Sequence, residues 1–425
     1  MSNAASRRDL TPASAIPLAY FAFAHLGLAA ALLVLVLRPD LPGAFFYHPK
    51  MVALVHLVTL AWLSGSILGA FYIVGPLALR LPMPVRWTDW AAFLAFALGT
   101  SGMVSHFWIG TYGGMVWSAA LVAAAIGWVA SRAWRGLPNA SVPWPVTLHV
   151  ALAFFNIIAA AAFGIVIGLD RSRGMLGVSP LAATNAHAHV AAIGWAAMMV
   201  VGLSYRLIPM MLPAAMPTGS RLALSAVLIE SGLAIVVVTL IRESVWLPVG
   251  GGLVAAGFAS FAVQIRRALQ HRMPRPPALP RRDWSTWQAH LALLWLLVAI
   301  GLGLALSVGV RDQWRAGLSW VYGVAGLVGF LAQIVVGMQG RLVPLYAWYR
   351  AMAARGAPPE RAANQLPSPA FARATFFCWS LGVPFLAWGL AAQRQPVIAM
   401  SAALLLCGIA VGGAYIAHML RAARG

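Results

Sequence analysis

Acidic side chains are nearly missing from this chain. Asp and Glu together number nine in 425 residues, against 29 Lys and Arg, and charged residues of both signs make up 9%. Soluble globular chains carry about a quarter charged residues, so the composition excludes a soluble fold. So few acids also give a carboxylate-driven proton or cation path little to work with; Glu230 is the only acid expected deep inside an apolar run. Cysteine is scarce too. Cys378 and Cys407 supply neither a disulfide framework nor a zinc pattern, and both read as small apolar residues.

What is abundant is apolar length. Hydrophobic residues reach 61%, and runs of about 20, each long enough for a bilayer core of roughly 30 Å, recur along the whole chain. They predict an all-α polytopic membrane protein with about twelve transmembrane helices. The first run, Ile16–Leu37, is too long for a signal-peptide core and is expected to be retained. The tenth is expected over Leu318–Gly340 and the eleventh over Ala374–Leu390. The formal net charge of +20 does not point to nucleic acid, because the basic residues sit in short loops. Most of them fall on the side that holds both termini, which predicts cytoplasmic termini in a bacterial inner membrane. The Pro- and Arg-rich loops Arg266–Trp284 and Arg350–Arg373 fall on that side as well and give no sign of an independent soluble domain.

An internal repeat organises the chain. HLVTLAWLSGSILGAFYIVGPL from His56 aligns without a gap on HVAAIGWAAMMVVGLSYRLIPM from His189. His56 meets His189, Trp62 meets Trp195, Gly69 meets Gly202, Tyr72 meets Tyr205 and Pro76 meets Pro209. A third copy, GMQGRLVP at Gly337–Pro344, matches GLSYRLIP at Gly202–Pro209; its histidine position is Val324 and its tyrosine position Gly340. Motifs in spans two, six and ten imply three pseudo-symmetric four-helix units, 14–135, 143–268 and 284–421, within one integral membrane domain spanning 1–425. An even number of crossings per unit keeps the units parallel, so their axis is expected along the membrane normal. HVALAFF from His149 also resembles HLALLWL from His290. The motif glycines allow close helix approach in lipid.

Two of the three copies keep a histidine, and the candidate site rests on that asymmetry. Ionisable groups inside a membrane are costly and normally face the bundle interior. His56 and His189 each lie five residues into a span, roughly 8 Å below its outer end at 1.5 Å per residue. Two neutral imidazoles at matched depth suit a haem iron held from both faces, with Trp62, Trp195, Tyr72 and Tyr205 as candidate packing around a porphyrin edge, although such a stripe is more often ordinary helix packing. In the HAH segment, residues i and i+2 stand about 200° apart on a helix, so His187 and His189 address opposite sides. Copper beside His187 is conceivable, because imidazole suits copper; only His106 or His48 could help hold it, and neither has ligand-grade spacing. His25, His149, His271, His290 and His418 read as hydrogen-bonded or interfacial residues.

Twelve spans in three parallel units, histidines near the outer ends of motif helices and an H-x-H pair resemble subunit I of the haem-copper oxidase superfamily, in its cbb-type oxidase and nitric oxide reductase branch. The resemblance implies an axial role for His56, since span two supplies a low-spin haem ligand in that family. There the H-x-H belongs to span ten and serves two haems; here it stands in span six as His187 and His189. Span seven, LALSAVLIESGLAIVVVTLI, lacks the family's histidine pair, and span ten lacks its high-spin haem ligand. An oxygen-reducing centre is therefore not expected. The chain is similar instead to divergent relatives of subunit I and loosely to the haem- and copper-containing membrane proteins of the nitric oxide response. That implies haem b, with a quinone, a cytochrome or nitric oxide as partner. The competing expectations are a transporter or channel lined by His25, Asn156, Glu230, Gln333 and Gln339, and an assembly factor that hands haem or copper to an oxidase.

Overall fold

A computed structural model describes residues 10–43, 45–274 and 283–424. Part of the loop expected over 266–284 lies outside the described residues. Among those described, the chain is all-α, with 12 helices long and apolar enough to cross a membrane. We number them α1 (Ile16–Leu37), α2 (Pro49–Ala78), α3 (Trp87–Ile109), α4 (Tyr112–Asn139), α5 (Trp144–Arg173), α6 (Pro180–Met211), α7 (Ser220–Ile241), α8 (Leu247–Gln270), α9 (Trp284–Val308), α10 (Asp312–Arg355), α11 (Pro369–Ala391) and α12 (Gln395–Ala422). Every expected span is present, and the chain is a multi-pass membrane protein.

The largest difference is in α10, which has 44 residues. Hydropathy falls after Gly340, but amphipathic periodicity continues. Val343, Tyr346, Ala347 and Ala351 are buried with Phe21, Leu366, Tyr415 and Met419 in one apolar cluster. The Tyr346 hydroxyl donates to the Ser14 carbonyl at 2.6 Å and accepts from Arg350 at 3.0 Å. Gly356, at φ +71°, closes the helix in the left-handed conformation that glycine adopts without strain. The loop up to Pro369 is thus partly packed, with Leu366 seated in that cluster.

Two compact units are present. One gathers α1, α2, most of α9, and α10 to α12; the other holds α3 to α8 with the end of α9. The division falls between α2 and α3 and so cuts through the first repeat. Inside the units the repeat recurs as packing. A Cβ on Gly69 would stand 2.9 Å from Tyr20 Cβ, one on Gly202 2.5 Å from His149 Cβ, and one on Gly337 3.0 Å from the Ser285 carbonyl oxygen and 3.5 Å from Gln288 Cβ. Each motif glycine therefore lets its helix lie directly on the first helix of its own repeat. Tyr20, His149 and Gln288 are the counterparts, which supplies the partner for the first unit that the sequence did not reveal. It also sets α9 two residues away from the register of the HLALLWL match, for His290 is exposed and edge-on to Trp287. The remaining helices form hairpins closed by glycine: Gly99 against the Ser118 carbonyl in α3–α4, Gly232 against Gly250 in α7–α8, and Gly408 against Cys378 in α11–α12. In lipid, small residues at such crossings let dispersion do what water exclusion does elsewhere.

Candidate functional site

The three motif helices share an irregularity. Each leaves α-helical winding for a π-helical run, over Leu57–Ser64 in α2, Val190–Ala197 in α6 and Val324–Ala332 in α10. The first two occupy identical repeat positions. The third covers the equivalent stretch and starts on Val324, the residue standing where the other copies have histidine. Single π turns are rare and concentrate at functional sites; three equivalent runs of eight or nine residues make this a built feature of the repeat.

His56 and His189 are the residues immediately before their π runs. His56 Nδ1 lies 2.8 Å from the Val52 carbonyl and His189 Nδ1 2.7 Å from the Asn185 carbonyl. Both rings are thus oriented alike by the carbonyl four residues back. A carbonyl can only accept, so each Nδ1 carries the proton, and each imidazole is the Nδ1–H tautomer with an unprotonated Nε2 able to act as a ligand. His25 and His149 make the same bond, to Phe21 at 2.8 Å and Pro145 at 2.6 Å. The bond alone does not mark out His56 and His189; its combination with the π junction does. His56 belongs to the first compact unit and His189 to the second.

The motif aromatics are all buried. Trp62, 0% exposed, stacks on Trp379 at 6.5 Å and meets His25 edge-on at 5.1 Å. Its Nε1–H has no hydrogen-bond partner among the described residues. Tyr72 stacks on Tyr20 at 6.2 Å. Trp195 packs on Phe154 at 5.4 Å. Tyr205 lies edge-on to His149 at 5.5 Å and to Phe261 at 5.2 Å. Each side chain is engaged with neighbouring helices, the packing role that their spacing also allowed.

The histidines singled out for copper are held separately. His106 Nδ1 is 2.7 Å from Thr111 Oγ1, where α3 turns into α4. His187 is edge-on to Phe163 at 6.2 Å and packs over Gly164. No group of three or more His, Cys, Asp or Glu side chains comes together among the described residues, so copper at His187 and His106 gains no third donor from that set.

Two polar constellations went unrecognised in the sequence. His149 Nε2 and the Tyr205 hydroxyl each lie 2.9 Å from Ser225 Oγ, which donates to the Leu222 carbonyl. The three side chains close a buried network between α5, α6 and α7. Asn156 donates to Glu230 at 2.9 Å and to the Leu152 carbonyl at 3.0 Å, and it packs on Gly194 inside the α6 π run. Glu230 and Asn156 were each legible as inward polar residues; their pairing across 74 residues was not. Comparison with known proteins matches this chain to no protein-family model and to no curated protein.

Proposed function

We propose that this chain is a haem b-binding membrane protein with His56 and His189 as the axial ligands. Its setting is the bacterial inner membrane with cytoplasmic termini, and its role is electron transfer or the handling of a diatomic gas such as nitric oxide. One observation carries the reading: two of three equivalent helices place a histidine at the same π junction, with the same Nδ1 bond to a carbonyl and the same tautomer. The donor set fits the group, since ligating histidines characteristically donate their second ring N–H to a backbone carbonyl and histidine is a common axial ligand of haem iron. When bound, haem supplies a one-electron ferric–ferrous couple. The chain's own part is to orient both imidazoles and hold their Nδ1 protons at the Val52 and Asn185 carbonyls. The missing histidines in α7 and α10 argue against oxygen reduction.

The test is the absorption spectrum of the purified protein, oxidised and dithionite-reduced, with a pyridine haemochrome assay for stoichiometry. Sharp reduced α and β bands are expected with one haem per chain, lost in both His56→Ala and His189→Ala. A colourless protein from haem-replete cells, or full haem retention in either variant, overturns the pairing. Glu230 and Asn156 favour a second reading, a transport path through the second compact unit, because an intramembrane carboxylate with a named polar partner is itself a functional marker. Solute uptake into proteoliposomes by colourless protein, abolished by Glu230→Leu, supports that reading.

A further inference from the structure

The first compact unit contains a neutral polar pocket that the haem reading does not use. It lies near the ends of α9 and α12 that face the surface carrying both termini, and α10 and α11 complete its wall. Ser285, Gln288, Gln339, Thr375, Tyr415 and Met419 are among its lining residues, and it encloses about 30 Å³ open to the centres of water molecules. Gln288 is 2% exposed and Thr375 6%. Neither Gln288 amide atom nor the Thr375 hydroxyl finds a hydrogen-bond partner among the described residues. Gln339 reaches only Ser66 Oγ, at a long 3.4 Å. Gln333, on the same α10 face one turn from Gly337, is 0% exposed and its amide is likewise unpartnered.

Burying an amide without a hydrogen bond costs several kcal/mol in hydrocarbon-like surroundings, and buried polar groups in folded proteins are paired with protein or ordered water. Small residues make the space: the α10 backbone at Gly337 and Gly340 lies against Ser285, and a Cβ at Gly340 would stand 2.3 Å from Ser285 Oγ. No carboxylate is among the described residues that line the pocket, and Asp283 is already paired with Arg341. A cation would therefore find no counter-charge. The lining offers both donors and acceptors, which matches a molecule that is both.

We propose that this pocket is a water-binding site, the inner end of a hydrated inlet from the surface that holds both termini. A cavity needs roughly 10–15 Å³ of such space per water, so the site takes about two. The waters bridge Gln288, Thr375 and Gln339 and give water and small neutral hydrogen-bonding solutes a foothold inside the apolar bundle. The inference stands independently of whether haem is bound.

Radiolytic hydroxyl-radical footprinting of the full chain in nanodiscs, read by mass spectrometry, tests it, because radicals formed from bound water oxidise adjacent side chains. Met419 and Met198 are both 0% exposed, but only Met419 lines the pocket. Met419 should be oxidised many-fold faster than Met198, and the Gln288→Leu/Thr375→Val double variant should remove most of that excess. Equal rates at Met419 and Met198 in the unaltered protein would overturn the proposal without requiring any variant to fold. Fast Met419 oxidation that persists in a well-folded double variant would overturn the assignment to these side chains.

Discussion

Asp89 shows how much one side chain can carry in a chain with so few acids. It is 0% exposed and accepts from the Arg86 backbone N–H at 2.7 Å, Trp128 Nε1 at 3.2 Å and Arg132 Nη1 at 2.5 Å. Arg132 also caps the Pro84 carbonyl. Removing one partner of a buried pair strands the other charge, so Arg132→Met should cost about 3–5 kcal/mol in detergent unfolding, and Asp89→Asn in the same chain should restore part of it. Nothing near Asp89 in the sequence disclosed this: it stands one residue before an apolar run, and its partners lie 39 and 43 residues on. The Arg38–Asp40 pair is the opposite case, exposed at the end of α1. Its hydrogen bond from Arg38 holds the Asp40 carboxyl below the usual carboxylate range. The stabilisation is present above the unfolded-state value and disappears as pH falls through the lowered folded one. Solvent screening keeps such a pair weak, so Asp40→Asn should leave the neutral-pH melting temperature unchanged.

At the scale of the element, the repeat was readable and its winding was not. Aligned Trp, Gly, Tyr and Pro positions identify α2, α6 and α10 as copies. In stretches this apolar, however, too few polar residues mark which face is which, so a π period and an α period leave the same trace. The equivalence of His56 and His189 within the repeat followed from that alignment; their shared position at the mouth of a π run required the backbone. The resemblance between the segments at His149 and His290 is offset by two residues from the packing, where Gln288 is the counterpart of His149, because apolar segments align almost equally well at neighbouring offsets. Only the glycine contacts decide it. Winding makes a sharp prediction. Deleting one residue inside a π run, such as Thr59, changes the phase of His56 relative to Gly69 and, on the proposed haem reading, should weaken haem binding while circular dichroism stays helical. Deleting Val328 from the run that lacks a histidine should leave haem in place.

For the whole molecule, composition alone conveyed the class and span length the count, because a bilayer admits few architectures for a chain this apolar. The division into two compact units was not legible, since it depends on which distant helices meet. α1 lies along α12, where Gly412 and Gly413 come within 4 Å of the His25 ring for any added Cβ, and this contact joins the two ends of the chain across the repeat boundaries. α10 carries a different consequence at this scale. At 1.5 Å per residue its 44 residues extend about 66 Å, roughly twice the hydrocarbon thickness. The last turns leave the lipid anchored through Tyr346 to the segment before α1 and through Leu366 to the loop that follows. For electron imaging of a 45.1 kDa protein otherwise hidden in its micelle, that makes Arg355 a mounting post: a small helical protein fused there in continuous register would stand at a fixed angle and serve as a landmark for particle alignment.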